Sequence, residues 1–172
     1  MATHDGAMTN TINDGRQDFD FLFGAWTIRN RKLANMADPE CDEWVEFDAT
    51  AYAHPILGGL GNVDTFSVPA MPDGKPFEGA TFRLFDTETG LWKIWWASTS
   101  APGRLDPPVS GQFTDKHGVF LGEDVVGGKP VEVRFDWSAF DERTARWEQA
   151  FSFDAGQSWV HNWRMDFTRV DG

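Results

Sequence analysis

The chain has 172 residues, 41% of them hydrophobic, which suffices for a buried core and excludes a disordered polymer. Fifteen basic against 27 acidic residues give a net charge of −12, so phosphate backbones and anionic lipid surfaces are repelled and neither nucleic acid nor membrane is an expected partner. No apolar run approaches the roughly 20 residues of a spanning helix, the first ten residues lack the features of a secretory signal, and the lone Cys41 excludes an internal disulfide and suits a reducing, cytoplasmic compartment.

Residues 1–16 are polar and read as a flexible leader, leaving 17–172 for one domain. Asp18-Phe19-Asp20-Phe21-Leu22-Phe23-Gly24 predicts one short helical turn ended by glycine. From there the apolar period is close to two. The first strand is expected over 25–33. The second, 43–53, sets Val45, Phe47, Ala49, Ala51 and Ala53 on one face and Trp44, Glu46, Asp48, Thr50 and Tyr52 on the other. A third follows over 62–68. Strands 77–86 and 91–98 flank Thr87-Glu88-Thr89-Gly90, and 109–114 and 119–126 flank Asp115-Lys116-His117-Gly118. Strand 131–138 follows Gly127-Gly128-Lys129-Pro130, and 144–153 and 159–169 flank Asp154-Ala155-Gly156-Gln157. Gly and Asp punctuation at this spacing marks an antiparallel meander.

About ten strands and no sustained helical stripe give an all-β fold. A meander of this length must close or stack to hide its edges, so an up-and-down β-barrel is expected, with a sandwich as the alternative. Nine Trp, fifteen Phe and one Tyr would fill much of its interior. A barrel of this size holds side chains plus one small ligand. Some strands are apolar on both faces. In Leu91-Trp92-Lys93-Ile94-Trp95-Trp96, Trp95 points away from Trp92, Ile94 and Trp96. A second copy of the chain could cover that outer face, so a homodimer is one expectation.

Gly24-Ala25-Trp26 resembles the Gly-x-Trp that opens calycin-type barrels. The set Gly58-Gly59-Leu60-Gly61-Asn62-Val63-Asp64, Phe82-Arg83-Leu84-Phe85-Asp86, Gly103-Arg104-Leu105-Asp106-Pro107-Pro108-Val109, Ala145-Arg146-Trp147-Glu148-Gln149-Ala150-Phe151-Ser152 and Asn162-Trp163-Arg164-Met165-Asp166-Phe167-Thr168-Arg169 resembles a family of uncharacterised bacterial lipocalin-like proteins over residues 18–169. The resemblance implies a closed barrel and carries no established activity. The haem-binding nitrobindin barrel is a more distant likeness, but Thr27-Ile28-Arg29 lacks the extra glycines of that group.

Gly59-Leu60-Gly61-Asn62-Val63-Asp64 falls short of a dinucleotide fingerprint, because the third glycine and a following helix are missing; it reads as a bend before a strand. Zinc, calcium-loop and Gly-x-Ser-x-Gly patterns are absent, and Cys41 beside Asp42 and Glu43 is a poor nucleophile, so no metal is expected. Of the histidines, His4 lies in the leader, His117 in a turn and His54 near a rim. Alternation puts His161 with Trp159, Trp163, Met165 and Phe167. There it is either a packed core imidazole or a haem ligand or base.

Polar residues set among aromatics are the stronger candidates. Glu46 shares a face with Trp44, Asp64 with Asn62 and Phe66, Arg83 with Thr81 and Phe85, and Gln149 with Trp147, Phe151 and Phe153. They either converge on a ligand or form structural pairs such as Glu46 with Arg83. Arg104, in the stiff Leu105-Asp106-Pro107-Pro108 loop, either caps a barrel mouth or bridges to Asp106. The leading expectation is therefore a cofactor-free barrel binding a small apolar or aromatic molecule, with Trp95, Trp147 and Trp163 stacking on it and Glu46, Arg83 and Gln149 orienting it. A carboxylate enzyme using Glu46 or Asp64 and a haem barrel using His161 are the alternatives.

Overall fold

The computed structural model describes residues 14–171. Residues 1–13 of the expected leader, with His4, lie outside the described residues. Ten strands follow in chain order: β1 (Gly24–Leu33), β2 (Trp44–Ile56), β3 (Gly61–Val68), β4 (Phe77–Asp86), β5 (Leu91–Ser98), β6 (Val109–Thr114), β7 (His117–Val126), β8 (Lys129–Ala139), β9 (Thr144–Ser152) and β10 (Val160–Arg169). Each strand pairs antiparallel with its sequence neighbours, and β1 pairs with β10 to close the barrel. The expected up-and-down barrel is the observed fold. Among the described residues the only helical pieces are two 3-10 turns, Asp20–Leu22 and Leu57–Gly59.

Period-two alternation decides what faces inward. In β1, Trp26, Ile28 and Asn30 are buried while Thr27, Arg29 and Arg31 are exposed; in β2, Phe47, Ala49 and Ala53 are buried against exposed Glu46, Asp48 and Thr50. The bend between β2 and β3 runs through left-handed backbone at Leu57, Gly58 and Gly59 (φ 53°, 63° and 95°), so these glycines serve a turn and no phosphate-binding helix follows them.

The N-terminal turn becomes a plug. Phe19 is fully buried and meets Trp92 and Phe113 edge-on, with ring centroids 5.1 and 5.0 Å away. Two indole N–H groups tie the plug to the strands: Trp26 Nε1 donates to the Leu22 carbonyl at 2.8 Å, and Trp92 Nε1 to the Gly15 carbonyl at 3.0 Å. Arg169 donates to the carbonyls of Phe21 and Phe23 and lies over the Trp26 ring, its Cζ 4.2 Å from the centroid. Every backbone group of a short turn with no cap of its own is costly to bury unpaired, and these side chains supply the partners. One end of the barrel is therefore shut. At the other end the β1–β2, β3–β4, β5–β6 and β9–β10 connections are longer loops, and β7–β8 turns at Gly127-Gly128.

Alternation fails once where it matters. Between His161 and Trp163 the pairing of β10 with β9 shifts by one residue. A bulge spends an extra residue, so Asn162 and Trp163 are both buried and His161 is exposed. The expectation that His161 shares an interior face with Trp163, Met165 and Phe167 is corrected accordingly.

Candidate functional site

The space above the plug is a cavity of about 590 Å³ that opens toward the loop end. Its floor is ionic. β3 and β4 set Asn62 opposite Arg83 and Asp64 opposite Thr81. Arg83 is 2% exposed; its Nη1 donates to Asn62 Oδ1 at 2.8 Å, and its Nη2 lies 2.7 Å from Asp64 Oδ2. The guanidinium rests on the plug, with Cζ 5.1 Å from the Phe19 centroid and 5.7 Å from that of Trp137. A buried cation needs such an anion, and the aromatic faces below add to the binding of its charge.

The walls are aromatic and mutually edge-on. Phe135 meets Trp147 at 5.0 Å between centroids, Trp147 meets Trp163 at 5.6 Å, and Trp163 meets Trp96 at 6.3 Å. Trp96 crosses the barrel directly above Gly79: a Cβ there would fall 2.0 Å from Trp96 Cη2, so only glycine leaves this indole its place. Trp163 Nε1 donates to Asn30 Oδ1 at 3.0 Å, and Gln149 Nε2 donates to Asn162 Oδ1 at 2.9 Å and to Met36 Sδ at 3.6 Å. The Trp163 and Gln149 N–H donors are thereby committed to the protein, and most of the remaining wall is apolar.

The mouth carries Arg104, whose Nη2 donates to Asp124 Oδ1 at 3.3 Å and whose Nε is 3.8 Å from Asp106. The Asp106 amide donates to the Trp96 carbonyl at 2.9 Å, tethering this loop to β5. Burial pushes the Asp106 carboxyl above the ordinary range, the nearby Asp124 charge adds to that, and Arg104 opposes it.

The fold brings Asp64, Arg83, Arg104, Trp147, Gln149 and Trp163 to the cavity. It leaves Trp44, Glu46, Trp95 and His161 elsewhere. Trp44 lies under Arg31, whose Cζ is 4.3 Å from its ring, and Glu46 is exposed, 3.5 Å from Arg29. Trp95 packs on Phe82 on the outer wall, centroids 6.5 Å apart. The expected Glu46–Arg83 pair is replaced by Glu46–Arg29 outside and Asp64–Arg83 inside, because the two residues stand on opposite faces of the sheet. Among the described residues no histidine lines the cavity, so the imidazole ligand expected for haem is not available there. Sequence reasoning missed Met36, Asn162 and Asp124. Asn30, following Trp26 and Ile28 at period two, was findable as a polar residue on an apolar face.

Two solved structures share this architecture. A crystal structure of Rv2717c from M. tuberculosis matches with a TM-score of 0.61 at 14% identity, covering 91% of this chain and 98% of that one. A redesigned beta barrel matches with a TM-score of 0.50 at 8% identity, covering 90% and 96%. No protein-family model matches the chain, and no curated protein does. At such identities the likeness is one of fold alone.

Proposed function

We propose that this chain is a lipocalin-like binding protein that holds a small, largely apolar, aromatic molecule inside the barrel. The observation that carries the reading is the aromatic-walled cavity of about 590 Å³ with a single ionic floor. Ligand sites are typically roughly 300–1,000 Å³, apolar, with a few placed polar groups. Trp96, Trp147 and Trp163 present ring surface at mid-height, where a flat ligand gains dispersion and loses hydration. The net charge of −12 supports keeping nucleic acid and anionic membranes off the list of partners. The lone Cys41 supports a reducing, cytoplasmic setting.

The test is a titration with the neutral fluorophore N-phenyl-1-naphthylamine. Saturable binding of one molecule per chain is expected. Ala53 lines the cavity and is 2% exposed, so Ala53→Phe fills the space from within and should abolish binding while the far-ultraviolet circular dichroism is kept. Absence of saturable binding, or binding that survives Ala53→Phe in a folded protein, overturns the reading.

The homodimer expectation attaches to the outer wall of β2 to β5, where Phe82 packs on Trp95 and Tyr52 is also exposed, with Lys93 beside Trp95 on the same face. Two copies meeting there bring apolar surfaces together and leave the repelling carboxylates at the rim. Sedimentation velocity is expected to show a dimer that Phe82→Glu dissociates; a monomeric parent protein overturns it.

A further inference from the structure

We infer that the ligand is electrically neutral and enters with a hydrogen-bond donor, an alcohol or phenol O–H, at its leading end. This deepens the binding reading above and rests on it. The argument comes from the floor. Arg83 and Asp64 neutralise each other at 2.7 Å, and both line the cavity. Asp64 Oδ2 is taken by Arg83, while Oδ1 makes no hydrogen bond among the described residues. Its side chain keeps 12% of its surface open against 3% for Arg83. The acceptor thus faces the cavity more than the donor does. Arg83 Nε and Asn62 Nδ2 are both sealed from the cavity, so the obvious donors for an anionic head are out of reach.

Either sign of ligand charge meets a like charge on this floor. A carboxylate placed at the open oxygen sits against Asp64. An ammonium there becomes the second cation on one carboxylate, next to Arg83. Burying an uncompensated charge is far more costly than burying a hydroxyl that finds an acceptor. The mouth adds to the filter against anions, since Arg104 lies between Asp106 and Asp124 and the acidic side is in excess. A hydroxyl is matched at the floor by Asp64 Oδ1, with the buried Thr81 hydroxyl beside it as a second acceptor or donor. The ring behind the hydroxyl then lies at the height of the indoles.

The experiment compares three probes on one ring: 2-naphthylmethanol, 2-naphthoate and 2-naphthylmethylammonium, each titrated against N-phenyl-1-naphthylamine. The alcohol is expected to bind about tenfold or more tightly than unsubstituted naphthalene, the value of one hydrogen bond to an ionised acceptor, and more tightly than either ion, which would bury an uncompensated charge. The double variant Asp64→Leu with Arg83→Met replaces the pair by apolar groups of similar volume, a change that buried ion pairs tolerate. It should keep the naphthalene ring bound and bring the alcohol's affinity down to that of unsubstituted naphthalene. Equal affinities for all three probes, or an ion binding as tightly as the alcohol, overturn the inference and leave the binding reading standing. Failure of every probe and of the fluorophore overturns both. The ranking on the unaltered chain decides the matter even where the double variant does not fold.

Discussion

Replacing Phe19 with alanine should cost about 4 kcal/mol of stability. The side chain is 0% exposed and touches Trp92, Phe113, Phe120 and Trp137. A phenylalanine buries on the order of 150–200 Å². Cutting it back to Cβ removes roughly 130 Å² of apolar burial, or about 3 kcal/mol at 25 cal/mol/Å². Lost edge-to-face contacts add about 1 kcal/mol, which places the total inside the roughly 3–5 kcal/mol seen for buried aromatic truncations. Collapse into the gap is limited, because Trp92 is held by its hydrogen bond to Gly15 and the plug by that of Trp26 to Leu22. Urea unfolding followed by tryptophan fluorescence measures the loss, and Phe19→Leu, keeping most of the volume, should lose only about 1 kcal/mol. A loss below about 1 kcal/mol for the alanine variant, with an unchanged slope against urea, would refute the claim that the plug belongs to the cooperative core.

Three further outcomes concern charged groups of the barrel. Arg83→Met alone strands the Asp64 carboxylate and should destabilise by about 3–5 kcal/mol, more than the double variant with Asp64→Leu; a double loss equal to the sum of the two single losses in a urea series would show the pair to be uncoupled. Lys32 is half-buried beside Trp163, and burial pushes its ammonium below the ordinary lysine range. Its folded value lies under its unfolded one, so the unfolded chain binds more protons between the two; parent stability should rise with pH across that window, and Lys32→Met should remove the rise. Burial pushes the Asp136 carboxyl up, but hydrogen bonds from Arg134 and His117 outweigh it and hold the folded value below the usual carboxylate range. That stabilisation is present above the unfolded value and lost as pH falls through the folded one, so Asp136→Asn should flatten the acid limb of the stability curve.

The strands were legible because turns and alternation agree. The sequence reading of 77–86, 91–98 and 109–114 matches β4, β5 and β6 to the residue. The bounds shift where local chemistry is ambiguous: β2 runs on to Ile56 through Pro55, a residue that cannot donate to a ladder but here pairs with Asn62 at the strand's end. The hairpin β7–β8 likewise extends into the Gly127-Gly128 turn, starting β8 at Lys129. The short turn at Asp20–Leu22 was predicted, but its use as a plug was not, since a local pattern does not say which end of a closed sheet it enters.

The cavity was half legible, and the division has a physical cause. Face-sharing along one strand is local, so Asp64 with Asn62 and Phe66, and Arg83 with Thr81 and Phe85, were assigned to the right sets. Which acid meets Arg83 depends on register between strands, and register is fixed by the geometry of the bend at Leu57, Gly58 and Gly59 and the long loop after β3. The sequence reading offered Glu46 as the partner of Arg83, and the closed barrel separates the two, Glu46 outward beside Arg29 and Arg83 inward beside Asp64. His161 was lost to the bulge, a one-residue event that carries no signature in Val160-His161-Asn162-Trp163. The same bulge turns Asn162 inward to accept from Gln149 Nε2, committing that donor to the wall and leaving the Asp64–Arg83 floor as the ionic feature deep in the cavity. The feature hardest to read from the sequence thus decides which polar group a ligand can meet.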